Sequence, residues 1–239
     1  MNRILLPFLL LFSVSVMQAQ IHEFGGGIGG SNYVGNIGST QFINPTNVGY
    51  NLFYRWNKSP RHSYKVSFLQ TKLTGNDLKS DMPSRKERGL NFNNTVQQLS
   101  VGFEFNFFEL DLHEENFGLT PYLYLGISGI RYSDIYFRSY EIDLGGNQQY
   151  RKTDLEKGKK KNSLAIPFGT GLKVRLTPQL ILNAEVIANY TFTDNLDGSH
   201  PSSKNKEYYS FGKNVNDWFF YTGFSISYTF GKNPCYCAD

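Results

Sequence analysis

Cysteine is almost absent from the 239-residue sequence, and the two that occur, Cys235 and Cys237, lie at its extreme end. A disulfide framework therefore cannot hold the body of the chain together. Histidine is scarce as well, with four residues, and no histidine, cysteine and acidic residues have the spacing of a metal site. The sequence thus predicts no metal and no cofactor. The net charge of +4 is small, and nothing in its distribution indicates a nucleic-acid partner.

The first segment, MNRILLPFLLLFSVSVMQAQ, is the only long apolar run. Arg3 supplies a positive charge, Ile4 to Val16 form the apolar stretch, and Ala19 is a small residue suited to a cleavage site. This pattern predicts a secretory signal peptide at residues 1–19, so that the mature chain begins near Gln20 and lies outside the cytoplasm.

Glycine, by contrast, is abundant, with 23 residues. The stretch HEFGGGIGGSNYVGNIG (residues 22–38) contains a literal G-x-G-x-x-G at Gly25, Gly27 and Gly30. A dinucleotide-binding loop needs a helix directly after these glycines, and the following SNYVGN disfavours a helix. We therefore interpret the run as a first β-strand that bends closely around a packed interior.

Apolar and polar residues alternate over long stretches of the chain. SLAIPFGTGLKVRL (residues 163–176) keeps a period of two over fourteen residues, longer than the usual strand of about five or six. The same alternation recurs in VGYNLFYRW, HSYKVSF, QLSVGFEFNF, LILNAEVIANYTF and WFFYTGFSISYTF, and more weakly in residues 119–132. Short connections follow Trp56, Phe107 and Leu176, and long ones follow Gly30, Leu73, Tyr132 and Phe192.

These features predict an all-β fold, a transmembrane antiparallel up-and-down β-barrel of about eight strands over residues 20–230. Its short turns would lie in the periplasm and its long loops outside, with both termini in the periplasm. Aromatic residues would mark both membrane boundaries, near Trp56 and Tyr64 at one end and near Tyr190 and Trp218 at the other. The alternative is a soluble β-sandwich with an aromatic core.

Six charged residues fall on inward-facing positions of these strands. Buried charges must be paired, so they predict a luminal ion-pair network that fills the barrel. The alternative is a conducting pore or a ligand site. The six residues are Arg55, Lys65, Glu104, Lys173, Arg175 and Glu185.

No catalytic residue is predicted, and the protein is expected not to be an enzyme. Among the histidines, only His200, near Asp194, Asp197 and Ser199, falls in a long outer loop. A nucleophile and its base must converge in space, which proximity within one loop does not establish. A lipid-modifying enzyme, a narrow pore and an adhesin are the alternative functions.

Residues 133–162 are predicted to be a long outer loop, with the basic stretch RKTDLEKGKKK. Its charge suits either an anionic partner, lipopolysaccharide or a protein, or a loop that is simply solvated. At the other end, the aromatic-ended strand SISYTF precedes a short tail at residues 231–239, GKNPCYCAD. A disulfide between Cys235 and Cys237 would close a strained ring, so an inert tail, local pairing and an intermolecular disulfide all remain open.

The sequence resembles the PorG family of type IX secretion proteins. The resemblance rests on the signal peptide ending in QAQ, the stretches HEFGGGIGGSNYVGNI and NVGYNLFYRW, the aromatic-ended last strand and the cysteine-bearing tail. It implies an integral outer-membrane barrel of a Gram-negative bacterium that associates with the periplasmic ring formed by a lipoprotein and its partner protein.

On this resemblance, the function would be to anchor or organise the ring, without catalysis. The periplasmic turns and the tail would make the contacts, and Cys235 or Cys237 could attach covalently to the ring. Outer-membrane lipids and lipopolysaccharide would surround the barrel. The predicted contact residues are Asn57, Lys58, Arg61, His62, Glu109, Asp111, His113, Cys235 and Cys237.

Overall fold

The computed structural model describes residues 21–110, 117–143, 149–200, 208–211 and 215–231. Its strands are β1 (Ile21–Val34), β2 (Asn47–Asn57), β3 (His62–Asn76), β4 (Asn91–Asn106), β5 (Gly118–Asp143), β6 (Gln149–Thr177), β7 (Leu180–Thr191), β8 (Tyr208–Tyr209) and β9 (Trp218–Phe230). Eight of them form one antiparallel sheet in which each strand pairs with its neighbours in sequence, apart from the two-residue β8. β9 pairs with β1 and closes the sheet, from His22↔Phe230 to Val34↔Trp218. The fold is therefore a closed eight-stranded β-barrel, as the alternation predicted.

The two ends of the barrel differ in their connections. At one end, named here the short-turn end, β2 and β3 are joined by four residues and β6 and β7 by two. The prediction of a short connection after Phe107 is wrong, because residues 107–117 separate β4 from β5 at this end. At the opposite end, the long-loop end, the β3–β4 connection holds a 3-10 turn (Asp77–Lys79) and the helix α1 (Pro83–Arg88). None of the helices in the described part of the chain is long and apolar enough to cross a membrane.

Glycine in β1 allows its neighbouring strands to pack side chains against its backbone. A Cβ at Gly25 would lie 2.5 Å from Phe53 Cζ, and one at Gly27 would lie 2.5 Å from Ser225 Cβ. Real Cβ atoms do not approach other atoms so closely, so a larger residue at either position would force the barrel wall or its contents to move. The close packing inferred from the glycine run is present.

The outside of the barrel carries an apolar belt. Along β3 the inward Lys65 is 3% exposed, whereas the outward Val66 next to it is 42% exposed. Exposed apolar surface on this scale is unstable in water and matches the lipid-facing band of a membrane barrel. Other exposed apolar side chains of the belt are Phe24, Ile28, Val48, Leu52, Leu99, Val101, Leu123, Leu125, Ile127, Leu164, Phe224 and Ile226.

Aromatic side chains pair at both ends of this belt. Trp56 and Tyr64 lie with ring centroids 5.4 Å apart near the short-turn end. Tyr190 and Trp218 lie 4.9 Å apart near the long-loop end. Rings at such levels suit the interfaces of a bilayer, where an amphipathic ring faces both media.

The prediction that residues 133–162 form a loop is wrong. β5 and β6 continue beyond the barrel as a paired hairpin, with Arg131↔Asn162 at its base and Asp143↔Gln149 at its far end. Ile135 and Phe137 of the β5 extension are buried in the apolar cluster at the long-loop end, whereas Lys157 to Lys160 of the β6 extension are exposed. The lysine-rich β6 extension therefore carries no alternation from which a strand could be predicted.

The long-loop half of the interior is filled by an apolar cluster. The β1–β2 and β3–β4 connections are tied together over this cluster. Asp77 of the β3–β4 connection accepts hydrogen bonds from Arg88 Nε of the same connection (2.7 Å) and from the backbone N–H of Gly38 in the β1–β2 connection (3.0 Å). The cluster consists of Tyr33, Ile37, Leu69, Leu73, Leu90, Phe92, Val96, Ile130, Tyr132, Ile135, Phe137, Ala165, Leu196, Phe219 and Tyr221.

Replacing Gly27 with valine should prevent stable closure of the barrel, whereas Gly129→Val should leave closure intact. A Cβ at Gly27 meets the β9 side chain of Ser225, while one at Gly129 meets nothing within 4 Å. Overpacking of this kind costs about 1–3 kcal/mol or more. Urea titration in detergent, read by the gel mobility of unheated samples, measures the folded fraction. Equal stability of the two variants would contradict the packing role of Gly27.

Candidate functional site

A network of buried ion pairs occupies the short-turn half of the interior. At its centre, the Glu104 carboxylate lies 2.7 Å from Arg55 Nε, 2.7 Å from Lys173 Nζ and 3.5 Å from Lys65 Nζ. Lys65 Nζ also lies 2.8 Å from Glu185. The structure thus brings together five of the six inward charges singled out from the sequence.

Glu23 is a third acid of this network, and it was not recognised from the sequence. It lies inside β1, 1% exposed, and pairs with Arg55. Asn57 Nδ2 donates to Glu23 at 2.7 Å, and Ser227 Oγ donates at 3.0 Å. The signal was available, because Phe24 and Ile28 face outward and the alternation then turns Glu23 inward.

Neutral and aromatic groups add further contacts to the network. Tyr122 donates its hydroxyl to Glu185 at 2.8 Å, and Asn51 Nδ2 donates to the same carboxylate at 3.1 Å. Lys173 lies 4.7 Å from the ring centre of Tyr122, which adds a cation–π contact. Buried charges are tolerated when they are paired and hydrogen-bonded in this way.

Arg175, the sixth predicted residue, is buried nearer the short-turn end. It is 2% exposed and lies opposite Gly118 of β5 and Ile181 of β7. Among the described residues of the strands, the buried charges are therefore three carboxylates, Glu23, Glu104 and Glu185, and four cations, Arg55, Lys65, Lys173 and Arg175.

Very little space remains between the charged and the apolar halves. A cavity of about 30 Å³ lies there, bounded by Lys65 and Glu185 on one side and by Leu69 and Tyr221 on the other. Such a volume holds one or two water molecules, whereas small-molecule sites measure roughly 300–1,000 Å³. The interior is built as a filled core.

Two of the connections at the short-turn end, β2–β3 and β4–β5, form one surface. Arg61, between β2 and β3, donates to the carbonyl oxygen of Phe107 at 3.1 Å and to Glu109 at 3.2 Å in the β4–β5 connection. Leu110 of that connection packs against Ile181 of β7. These contacts hold the two turns in a fixed relation to each other and to the barrel.

The predicted partner-contact residues divide into three groups in the structure. Lys58, Arg61, His62 and Glu109 are exposed at the short-turn end. Asn57 does not belong with them, since it points inward, is 6% exposed and binds Glu23. The others, Asp111, His113, Cys235 and Cys237, lie outside the described residues.

At the long-loop end, His200 Nδ1 lies 3.1 Å from Asp194 Oδ2. Ser199 is buried beside them, but its hydroxyl donates to the Asp194 carbonyl oxygen at 3.3 Å and accepts from Asn36 at 3.1 Å. The nearby serine is thus engaged with the loop backbone and not with His200. No group of three or more potential metal ligands occurs among the described residues.

Acidic groups in the β7–β9 connection are buried. Burial raises the pKa of Asp194 to about 6 from its ordinary 3.8, although His200 opposes the rise. Burial likewise raises the pKa of Asp217, whose carboxylate accepts from Leu196 N at 2.8 Å. These carboxyl groups are easier to bury when they are protonated.

Replacing Glu104 with glutamine should destabilise the barrel by about 3–5 kcal/mol, because Arg55, Lys65 and Lys173 would lose a shared counter-charge. The control is Glu109→Gln, whose side chain is 67% exposed and which should cost less than about 1 kcal/mol. Urea unfolding in detergent compares the two. Equal losses would contradict the central role of Glu104.

The β7–β9 connection should be more strongly folded at acidic than at alkaline pH. Because the pKa of Asp194 is raised on folding, its stabilising contribution is complete below about pH 3.8 and is lost as the pH rises through about 6. Hydrogen exchange at the amides of Leu196 and Ser199, corrected for intrinsic rates, measures this. Asp194→Asn should weaken the dependence, and protection that increases with pH would contradict it.

Three solved structures illustrate what the barrel is similar to. Neisserial surface protein A is 13% identical, with a TM-score of 0.46 over 88% of this chain and 96% of that one. Ail, the attachment invasion locus protein of Yersinia pestis, solved with the heparin analogue sucrose octasulfate, is 12% identical, with a TM-score of 0.44 over 88% and 99%. The N-terminal β-barrel domain of Pseudomonas aeruginosa OprF is 12% identical, with a TM-score of 0.40 over 89% and 98%.

Comparison with curated proteins gave no match. Residues 2–239 match a family defined as a domain of unknown function, DUF6089. The match spans almost the entire sequence, and the chain therefore belongs to the DUF6089 family.

Proposed function

We propose that the protein is an integral barrel of the outer membrane of a Gram-negative bacterium, and that it anchors the periplasmic ring of the type IX secretion machinery. The observation that carries the proposal is the combination of an apolar exterior with a filled interior. A barrel of this construction can be held in lipid but offers no passage, so its interactions take place at its surfaces.

The membrane location is supported by the outward belt and the aromatic pairs at its two edges. The start of β1 and the end of β9 lie at the short-turn end, since His22 pairs with both Trp56 and Phe230. In bacterial outer-membrane barrels the short turns are periplasmic and the long loops extracellular. The start of β1 and the end of β9 would then both face the periplasm.

The filled interior favours an anchor over a transporter. Glu104 and Arg55 are fully buried and bridge strands across the lumen, so moving them aside would expose unpaired charges. The apolar cluster closes the other half. A pore would require both fillings to be displaced together.

The short-turn face is the surface that would meet the ring. Arg61 links the β2–β3 and β4–β5 connections of this face. Lys58, His62 and Glu109 are therefore held in fixed positions relative to one another. A preformed surface loses little conformational entropy on binding, which favours stable association. The type IX ring lipoprotein and its partner protein enter as partners through the PorG resemblance. Attachment through Cys235 or Cys237 is part of the same proposal.

Purification of the tagged protein from native membranes in mild detergent, with and without reductant, tests the proposal. We expect the ring lipoprotein and its partner in the eluate, and a partner released only by reductant if the tail is disulfide-linked. Arg61→Glu should lower the recovered ring by about tenfold, the effect of an interface side chain worth about 1.4 kcal/mol.

Arg138→Glu is the matched control, because it makes the same change at the opposite end. Arg138 pairs with Glu156 on the extended hairpin, and its side chain is 44% exposed, against 45% for Arg61. It should leave ring recovery unchanged. A folded barrel that purifies without ring components in either redox condition would refute the anchoring role.

The second candidate is a lipid-modifying enzyme, favoured by the pairing of His200 with Asp194. Such an enzyme needs a base near the membrane surface. His200→Ala would then abolish turnover of membrane lipids by the purified barrel while leaving ring recovery intact. No lipid turnover by the unmodified barrel, together with recovery of the ring, would favour the anchor.

A further inference from the structure

A depression interrupts the apolar belt on the wall formed by β3 to β6. It centres on Gly129 of β5, which lies opposite Leu99 of β4 and Leu164 of β6, and Phe68 of β3 lies opposite Leu99. Along this row of outward positions, three large side chains therefore flank one residue that has none. The space has a volume of about 500 Å³.

The packing of the protein does not require glycine at this position. A Cβ at Gly129 would meet no atom within 4 Å, whereas Cβ atoms at Gly25 and Gly102 would meet side chains and backbone at less than 3.0 Å. Gly129 thus leaves free space on the outside of the wall, where the surrounding belt carries Leu, Ile, Val and Phe. The depression has an apolar floor formed by Phe68, Leu99 and Leu164, which suits a hydrocarbon chain.

The rim of the depression towards the long-loop end is polar and basic. The next row of outward residues is Gln97 of β4, Arg131 of β5 and Asn162 of β6, paired side by side. Arg131 is exposed and takes part in none of the ion pairs formed within the described chain. A guanidinium beside an amide is suited to bind a phosphate oxygen pair.

We infer that this depression binds one phosphate-bearing membrane lipid, with the phosphate at Arg131 and Asn162 and one acyl chain over Gly129. From the long-loop end towards the middle of the wall, the polar rim comes first and the apolar floor second. A lipid in the bilayer has the same order, with its headgroup outside and its acyl chain inside. The inference rests on the proposed membrane location, because only there does the wall meet lipid.

A second depression on the same wall shows what distinguishes this one. It has about 540 Å³ and lies over Gly169, among Phe103, Leu123 and Phe168, without a charged side chain in its lining. Nothing there would orient a headgroup or select one lipid. The charge complementarity at Arg131 is therefore the feature that specifies an anionic lipid.

The test uses the purified full-length protein in detergent with equal amounts of phosphatidylglycerol and phosphatidylcholine, followed by native mass spectrometry. We expect one phosphatidylglycerol retained in preference to phosphatidylcholine. Arg131→Gln should reduce this preference about fivefold, the effect of one basic side chain at an anionic lipid surface. Gly129→Leu should reduce retention of both lipids by a similar factor, because it fills the space for the chain.

Two matched controls make the same changes elsewhere on the outside. Lys72→Gln removes an exposed base from β3. Gly26→Leu adds an outward side chain to β1, where only the exposed end of Leu52 must give way. Both should retain phosphatidylglycerol as the unmodified protein does. Equal retention of the two lipids by the unmodified protein, or equal losses in all four variants, would overturn the inference.

Insertion into phosphatidylcholine vesicles, read by resistance to carbonate extraction, separates this inference from the proposal on which it rests. An unmodified barrel that fails to insert would refute the membrane location. A barrel that inserts but shows no preference for phosphatidylglycerol would refute the lipid site alone. Gel mobility of unheated samples confirms that each variant is folded before lipids are compared.

Discussion

The Arg55 guanidinium is buried in the short-turn half of the barrel, between the carboxylates of Glu23 on β1 and Glu104 on β4. Arginine does not lose its charge in proteins, and burying an ion without partners costs several kcal/mol or more. Three strands must therefore keep one mutual register for Arg55 to be satisfied. A slip of one residue would turn the arginine or an acid to the outside, because side chains alternate with a period of two. The ion pairs thus disfavour other registers of these strands.

The rest of the interior follows from this arrangement. Lys65 and Lys173 share Glu104 with Arg55, so the network reaches β3 and β6, and Glu185 extends it to β7. Beyond this level apolar side chains fill the lumen under the long loops, and the buried acids found there, Asp77, Asp197 and Asp217, come from the loops. The two fillings meet at a cavity of about 30 Å³. With the lumen filled, the two end faces and the outer wall are the surfaces at which the protein can interact.

The strands, their order and the inward charges could be predicted from the sequence, because a barrel wall between lipid and a packed lumen imposes alternation along each strand. Glu23 was missed because the glycine run next to it was interpreted only as a closely packed first strand, without asking which side chains of that strand point inward. The β5–β6 extension was missed for a different reason, since the exposed, lysine-rich part of β6 carries no alternation of apolar and polar residues. Which acid pairs with which base depends on register and on positions across the lumen, and no local pattern carries that information. Asn57, for example, was assigned to a surface turn and lies in the network instead.

Glycine serves two opposite purposes in this wall. At Gly27 its missing side chain is replaced by Ser225 and Asn51, so the protein fills the space itself. At Gly129 the space stays open on the outside, next to an exposed arginine. Internal packing accounts for the first glycine, but it cannot account for the second, because any small or medium apolar residue would fit there. An explanation for Gly129 must therefore lie in what surrounds the barrel. Hydrocarbon and phosphate are the chemistry that a bilayer supplies at that level, and they match the floor and the rim of the depression.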